Sequence, residues 1–240
     1  MDPLSNPLNP SVMCKPTIFT LTLSFLFIVT VATAQESPSK EIINRFELVG
    51  GPSVSNNTGE AEEYESKIGG SIGVGYYQKI YKSFSLNIRA LHEWKGSAFD
   101  YPTTLSNGTI NVNYKFTTKF SCVSLYLMPT LQLGRNKNIY VGAGGYYSLL
   151  YRMSVGVYET NTDTGEVIED DTYSNNYLDP IYVRDGGATI QLGYAFKVSE
   201  KYQLMVQGFA NRGLVDIDGN WLGGSQRNNN YGILLSVRMR

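Results

Sequence analysis

Histidine occurs once in the 240 residues, at His92, and cysteine only twice, at Cys14 and Cys122. One histidine excludes a histidine-rich metal centre, and two cysteines that far apart make no disulfide framework. No basic run is present, and a net charge of −1 removes the electrostatic case for nucleic acid. Charged residues are scarce at 17%. After residue 34 no apolar run approaches the roughly 20 residues of a membrane-spanning helix. The mean hydropathy of −0.19 is mildly polar. That would ordinarily mean a water-soluble protein, but a membrane barrel escapes the rule because half of each strand faces a polar lumen.

What is present begins with a leader. Met13-Cys14-Lys15 precedes an apolar run from Ile18 to Val31 that ends in Ala32-Thr33-Ala34. A charged start, a short hydrophobic segment and a small-x-small site predict a secretory signal peptide cleaved after Ala34, with translation starting at Met13. Residues 1–34 are then signal and residues 35–240 one domain. Cleavage removes one acid, Asp2, and one base, Lys15, so the net charge is unchanged. Cys14 leaves too, and Cys122 alone cannot form an intramolecular disulfide. An exported chain without disulfides draws its stability from elsewhere, such as a closed hydrogen-bonded barrel.

The segment Ser121–Tyr151 carries the strongest pattern. Val123, Leu125, Leu127, Leu131 and Leu133 alternate with Ser124, Tyr126, Met128, Thr130 and Gln132. The chain turns at Arg135-Asn136-Lys137-Asn138 and alternates again from Ile139 to Tyr151. A period of two over about a dozen residues predicts a long strand with one greasy face, as in a tilted membrane-spanning strand. Similar runs are expected at 43–50, 68–81, 84–97, 187–198, 202–215 and up to Met239. Short turns fall at Lys82-Ser83, Arg135–Asn138 and Ser199–Lys201, and long polar connections at 53–67, 98–115, 158–184 and 216–228. Seven connections that alternate long and short predict an all-β, eight-stranded antiparallel up-and-down transmembrane β-barrel.

The segments Gly69-Gly70-Ser71-Ile72-Gly73-Val74-Gly75-Tyr76-Tyr77, Gly142-Ala143-Gly144-Gly145-Tyr146-Tyr147 and Leu192-Gly193-Tyr194-Ala195-Phe196, with the Ala-Thr-Ala start, carry a resemblance. The chain resembles the eight-stranded outer-membrane barrels, in particular the outer membrane protein beta-barrel family of the Bacteroidota that includes PorT-like proteins. The resemblance implies a monomer in the outer membrane with both mature termini periplasmic, and an accessory role in protein export. The C-terminal Arg238-Met239-Arg240 departs from the terminal aromatic residue that many such barrels carry.

Strand parity sends small and polar residues inward, with charges at Glu47, Arg89, Glu93, Lys95, Arg152, Lys197 and Arg238. Eight strands leave an interior that side chains fill. Arg89 is expected to pair across the lumen with Glu47 or Glu93, because an unpaired buried charge is costly. The alternatives are a narrow small-solute or ion channel, and a soluble lipocalin-like carrier, which needs an apolar interior and a polar exterior. The glycine clusters lack the Lys-Ser/Thr of a phosphate loop, and their glycines are expected to make room for lumen aromatics. His92, followed by Ser97 and Asp100, raises an outer-leaflet acyltransferase reading, but parity places His92 on the lipid side. The segment 158–183 holds seven acids without the spacing of a calcium loop. The expectation is therefore no catalytic residue, cofactor or metal site. Expected partners are outer-membrane lipid, lipopolysaccharide and proteins met at the surface loops or periplasmic face.

Overall fold

The computed structural model describes residues 44–58, 64–104, 111–161, 164–165, 167–175, 184–215 and 227–239. The expected signal peptide, its cleavage site and parts of every long connection lie outside the described residues. Among the described residues nine strands form: β1 (Asn44–Thr58), β2 (Tyr64–Tyr81), β3 (Phe84–Thr104), β4 (Asn111–Leu133), β5 (Ile139–Asn161), β6 (Val167–Asn175), β7 (Arg184–Lys197), β8 (Tyr202–Gly213) and β9 (Arg227–Met239). Each is antiparallel to its neighbours, and β1 pairs with β9 while β4 pairs with β5, so the sheet closes on itself.

Nine strands make eight staves. The lower half of β5, from Ile139 to Leu149, pairs with β7, and its upper half, from Met153 to Thr160, pairs with β6. β6 therefore continues the position of β7 upward. Between β5 and β6, Gly165 holds φ +71° and its N–H donates to Asn161 O at 2.8 Å. Glycine suits that left-handed position because it has no Cβ.

The short turns fall at 82–83, 134–138 and 198–201. The long connections are shorter than their polar sequences suggest, since the strands run on into them. β3 and β4 pair without a register break from Phe84–Leu131 to Thr104–Asn111. Cys122 accordingly lies in the middle of β4.

The two faces carry opposite chemistry along the lower barrel. Leu48, Ile72, Val74, Leu125, Ile190, Leu192 and Ile233 point outward and are exposed. Arg89, Glu93, Ser124, Thr189, Asn211 and Ser236 point inward and are buried. A water-soluble carrier of lipocalin type needs the reverse. Only an apolar solvent makes such an exterior favourable, and closure removes the sheet edges that such a solvent would punish.

Above the level of Trp94 and Ser121 the faces exchange roles. Lys115 and Lys119 project outward from β4, and Phe116 and Phe120 project inward, with Phe99 of β3 stacked on Phe116 at 5.0 Å. Lys115 Nζ lies 2.8 Å from the Glu65 carboxylate on this outer face. That carboxyl is held below its ordinary range, and the lysine above its own, by the bond between them. The exchange marks where the apolar solvent ends.

Candidate functional site in the barrel lumen

Inward-pointing residues of β1, β3 and β9 bring three charges together near the short-turn end. Arg89 Nε donates to Glu47 Oε1 at 2.6 Å, and Arg238 Nη2 donates to Glu47 Oε2 at 2.9 Å. Glu47, Arg89 and Arg238 are at most 2% exposed. Asn87 Nδ2 adds a bond to Glu47 at 3.3 Å, and Arg89 Nη1 reaches Gln191 Oε1 at 3.0 Å. The Arg238 guanidinium also lies over the Tyr77 ring at 3.9 Å. One acid faces two bases here, and Arg89 Nη2 and Arg238 Nη1 have no hydrogen-bond partner.

A second charged layer lies nearer the loop end. Lys95 Nζ stands 3.1 Å from Asp185 Oδ2 and 3.2 Å from Glu93 Oε2. Hydroxyls and amides surround the two acids. Tyr126 OH donates to Glu93 at 2.8 Å, Ser124 Oγ also donates to Glu93, Tyr146 OH donates to Asp185 at 3.0 Å, and Asn228 Nδ2 to Asp185 at 3.3 Å. Asn211 Nδ2 donates in turn to Tyr126 OH at 2.9 Å. Two acids face one base, so the layers have opposite net sign.

Between them Val49, Leu91, Met128, Phe209 and Leu234 pack together with Tyr126 and Tyr146. Leu91 sits between Arg89 and Glu93 on β3, so the apolar layer follows from alternation along one strand. Gly75 lies opposite Arg89 and Glu47 in the strand between them. A Cβ there would stand 2.6 Å from Glu47 Cγ and Oε1. This glycine makes room for an ion pair, whereas at Gly232 a Cβ would meet the Pro52 carbonyl oxygen first and the Phe209 ring at 2.6 Å.

Five of the expected inward charges, Glu47, Arg89, Glu93, Lys95 and Arg238, lie buried in these layers. Arg89 takes Glu47 as its partner. Arg152 and Lys197 do not join. The register between β4 and β5 slips at Ser121/Cys122, whose partners are Arg152 and Leu150. This bulge puts Tyr151 and Arg152 in succession on the outside, and both are exposed. Lys197 keeps inward parity, but as the last residue of β7 it is exposed at the barrel end.

Asp185 escaped the sequence reading because it follows an acidic stretch that reads as loop. Its signal was parity, since Asp185, Thr189 and Gln191 share one face. His92 projects outward and meets Tyr151 OH at 3.3 Å, with the Trp94 ring edge-on at 4.4 Å. Ser97 is buried on the inner face, so the strand separates it from His92. Cys122 is a buried free thiol whose Sγ lies 3.7 Å from Glu93 O. Among the described residues no group of three or more His, Cys, Asp or Glu side chains could hold a metal ion. Of the acidic 158–183 segment, Glu159 and Asp171 sit in β5 and β6. Asp163, Glu166 and Asp179 lie outside the described residues.

The model of a family described as outer membrane protein beta-barrel domain matches residues 33–219. No curated protein matches the chain. Among solved structures it is similar to Ail, the attachment invasion locus protein of Yersinia pestis, at 8% identity and a TM-score of 0.36, covering 81% of this chain and 98% of that one. It is similar to Neisserial surface protein A at 11% identity and a TM-score of 0.39, with 81% and 96% covered. OprG of Pseudomonas aeruginosa is a third, at 11% identity and a TM-score of 0.36, with 84% and 99% covered.

Proposed function

The chain belongs to the outer membrane protein beta-barrel domain family, and we propose that it acts there as a closed barrel with a structural or interaction role. It lies integral to the outer membrane, with its short turns and both termini of the barrel domain on the periplasmic side and its tall hairpins outside. The observation that carries this reading is the lumen, where two ion-paired layers of opposite sign flank an apolar one. A hydrated ion meets charge fixed by charge at both levels and a septum of Leu91, Met128, Phe209 and Leu234 between them. With passage closed, the surfaces left for work are the loop-end walls, where proteins and lipid are the partners. Catalysis is no part of the proposal, since Ser97 and His92 stand on opposite faces of their strand.

Planar-bilayer recording tests the closed lumen. We expect no single-channel conductance from the purified protein, and steady openings would replace this reading with that of a narrow channel. The finer role implied by the sequence resemblance, an accessory to protein export, is read from proteins that co-purify from native outer membrane in mild detergent.

A further inference from the structure

The bulge at Tyr151–Arg152 turns Met153 inward, where it packs against the buried Phe120, Cys122 and Leu150. It costs β5 a ladder position, and it turns outward a cation that uninterrupted alternation would send inward. It does so at the level where the outer face changes from aliphatic to polar. His92, Trp94 and Tyr151 form one aromatic patch there, with His92 and Tyr151 stacked at 5.7 Å. Rings with an apolar body and a polar tip settle at the boundary between acyl chains and headgroups.

Cations stand next to this patch. Arg152 pairs in register with Ser121, two residues from Lys119 on the same face of β4, so the two are diagonal neighbours. Arg184 opposes Leu149 at the top of β7, and Arg212 ends the outer face of β8. All four are exposed, and none has an ion pair among the described residues. Moreover, the outer faces of β4, β5, β7 and β8 carry no acid among the described residues. The nearest outward acid, Glu65, is engaged by Lys115. An uncompensated arc of four cations just above an aromatic girdle matches phosphate at headgroup depth.

We propose that this arc binds a phosphate-bearing lipid of the outer leaflet, with Arg152 and Lys119 as its centre and the bulge as the device that aims Arg152. The proposal rests on the orientation given above, with the loop end outside. Arginine grips phosphate oxygens through two parallel N–H bonds, and the Tyr151 and Trp94 rings lie against the first carbons of the acyl chains.

The test uses the full mature protein in detergent, with diphosphoryl lipid A and its enzymatically dephosphorylated form as probes, read by native mass spectrometry. The expected result is preferential retention of the phosphorylated probe. Arg152→Gln with Lys119→Gln should weaken it about tenfold or more, and Arg152→Lys should weaken it much less. Lys137→Gln, at the opposite rim, should leave it unchanged. Equal retention of both probes, or an equal loss with Lys137→Gln, overturns the proposal. Heat-modified gel mobility checks that each variant folds, and Lys119→Gln alone serves if the double variant does not. Orientation is read separately by labelling Thr164→Cys on whole cells, since Cys122 is buried. An unlabelled Thr164→Cys with intact lipid preference would break the orientation and leave the site standing.

Discussion

The two charged layers of the lumen use the same kinds of side chain and balance them differently. Near the short turns, Glu47 alone compensates Arg89 and Arg238, with amides as its other support. Near the loops, Lys95 lies between Glu93 and Asp185, whose remaining lone pairs are taken by Ser124, Tyr126, Tyr146 and Asn228. The first layer depends on one residue. The second spreads its electrostatics over neutral donors, so that each member is partly replaceable. Buried charge can thus be held by a single counterion or by a hydrogen-bonded shell, and the two respond differently to loss of a partner.

The sharpest way to break the comparison is Glu47→Gln. It leaves two buried guanidinium groups without an acid, and we expect a loss of about 3–5 kcal/mol in folding stability. Urea unfolding in lipid vesicles, followed by tryptophan fluorescence, measures it. Lys95→Met removes the central charge of the other layer, but hydroxyl and amide donors still serve both acids. Its cost in the same assay should be smaller than that of Glu47→Gln, and an equal cost would erase the distinction. Next in size is Tyr126→Phe. Losing a hydrogen bond to a charged group costs about 1.5–3 kcal/mol, and Ser124 limits the damage to Glu93. Gly75→Ala should cost about 1–3 kcal/mol, because its Cβ must displace the Glu47 side chain. Gly145→Ala, whose nearest neighbour would be Gly187 O at 3.5 Å, should be tolerated.

The smallest effect belongs to the outer face. Glu65→Gln removes an exposed pair and should leave the unfolding midpoint unchanged within error. The lowered carboxyl of Glu65 gives its contribution a direction. It is present above the ordinary carboxylate range and lost as pH falls through the lowered folded value. Any acid-dependent difference between wild type and Glu65→Gln should therefore appear only below about pH 4.

Much of this architecture was visible in alternation. Parity placed Glu47, Arg89, Glu93, Lys95 and Arg238 inside because a strand offers only two faces and lipid tolerates charge on neither the outer one nor its edges. Parity fails where the ladder slips. Nothing in the residues around Tyr151 announces a bulge, since Leu150, Tyr151 and Arg152 each suit a strand. Arg152 was therefore assigned to the wrong side. The extensions of β3 and β4 were hidden for another reason. Beyond Trp94 the outer face meets water, so the aliphatic signal changes faces, and polar outward residues such as Asp100 and Lys115 read as loop. The inward series Phe99, Phe116 and Phe120 carried the same period with opposite sense. Asp185 was lost at such a boundary as well.

The unbroken pairing of β3 with β4 has a mechanical side. At about 3.3 Å per residue, the 23 residues of β4 exceed what any tilted bilayer crossing uses. The remainder stands above the headgroups as a ladder of hydrogen bonds with no hinge in register. Arg89, Glu93 and Lys95 belong to β3, and Ser124 and Tyr126 to β4. A pull or push on the upper rungs of this ladder is therefore carried as shear along a stiff ribbon directly into the charged layers. Load applied at the tall end of the ribbon is transmitted to the buried ion pairs.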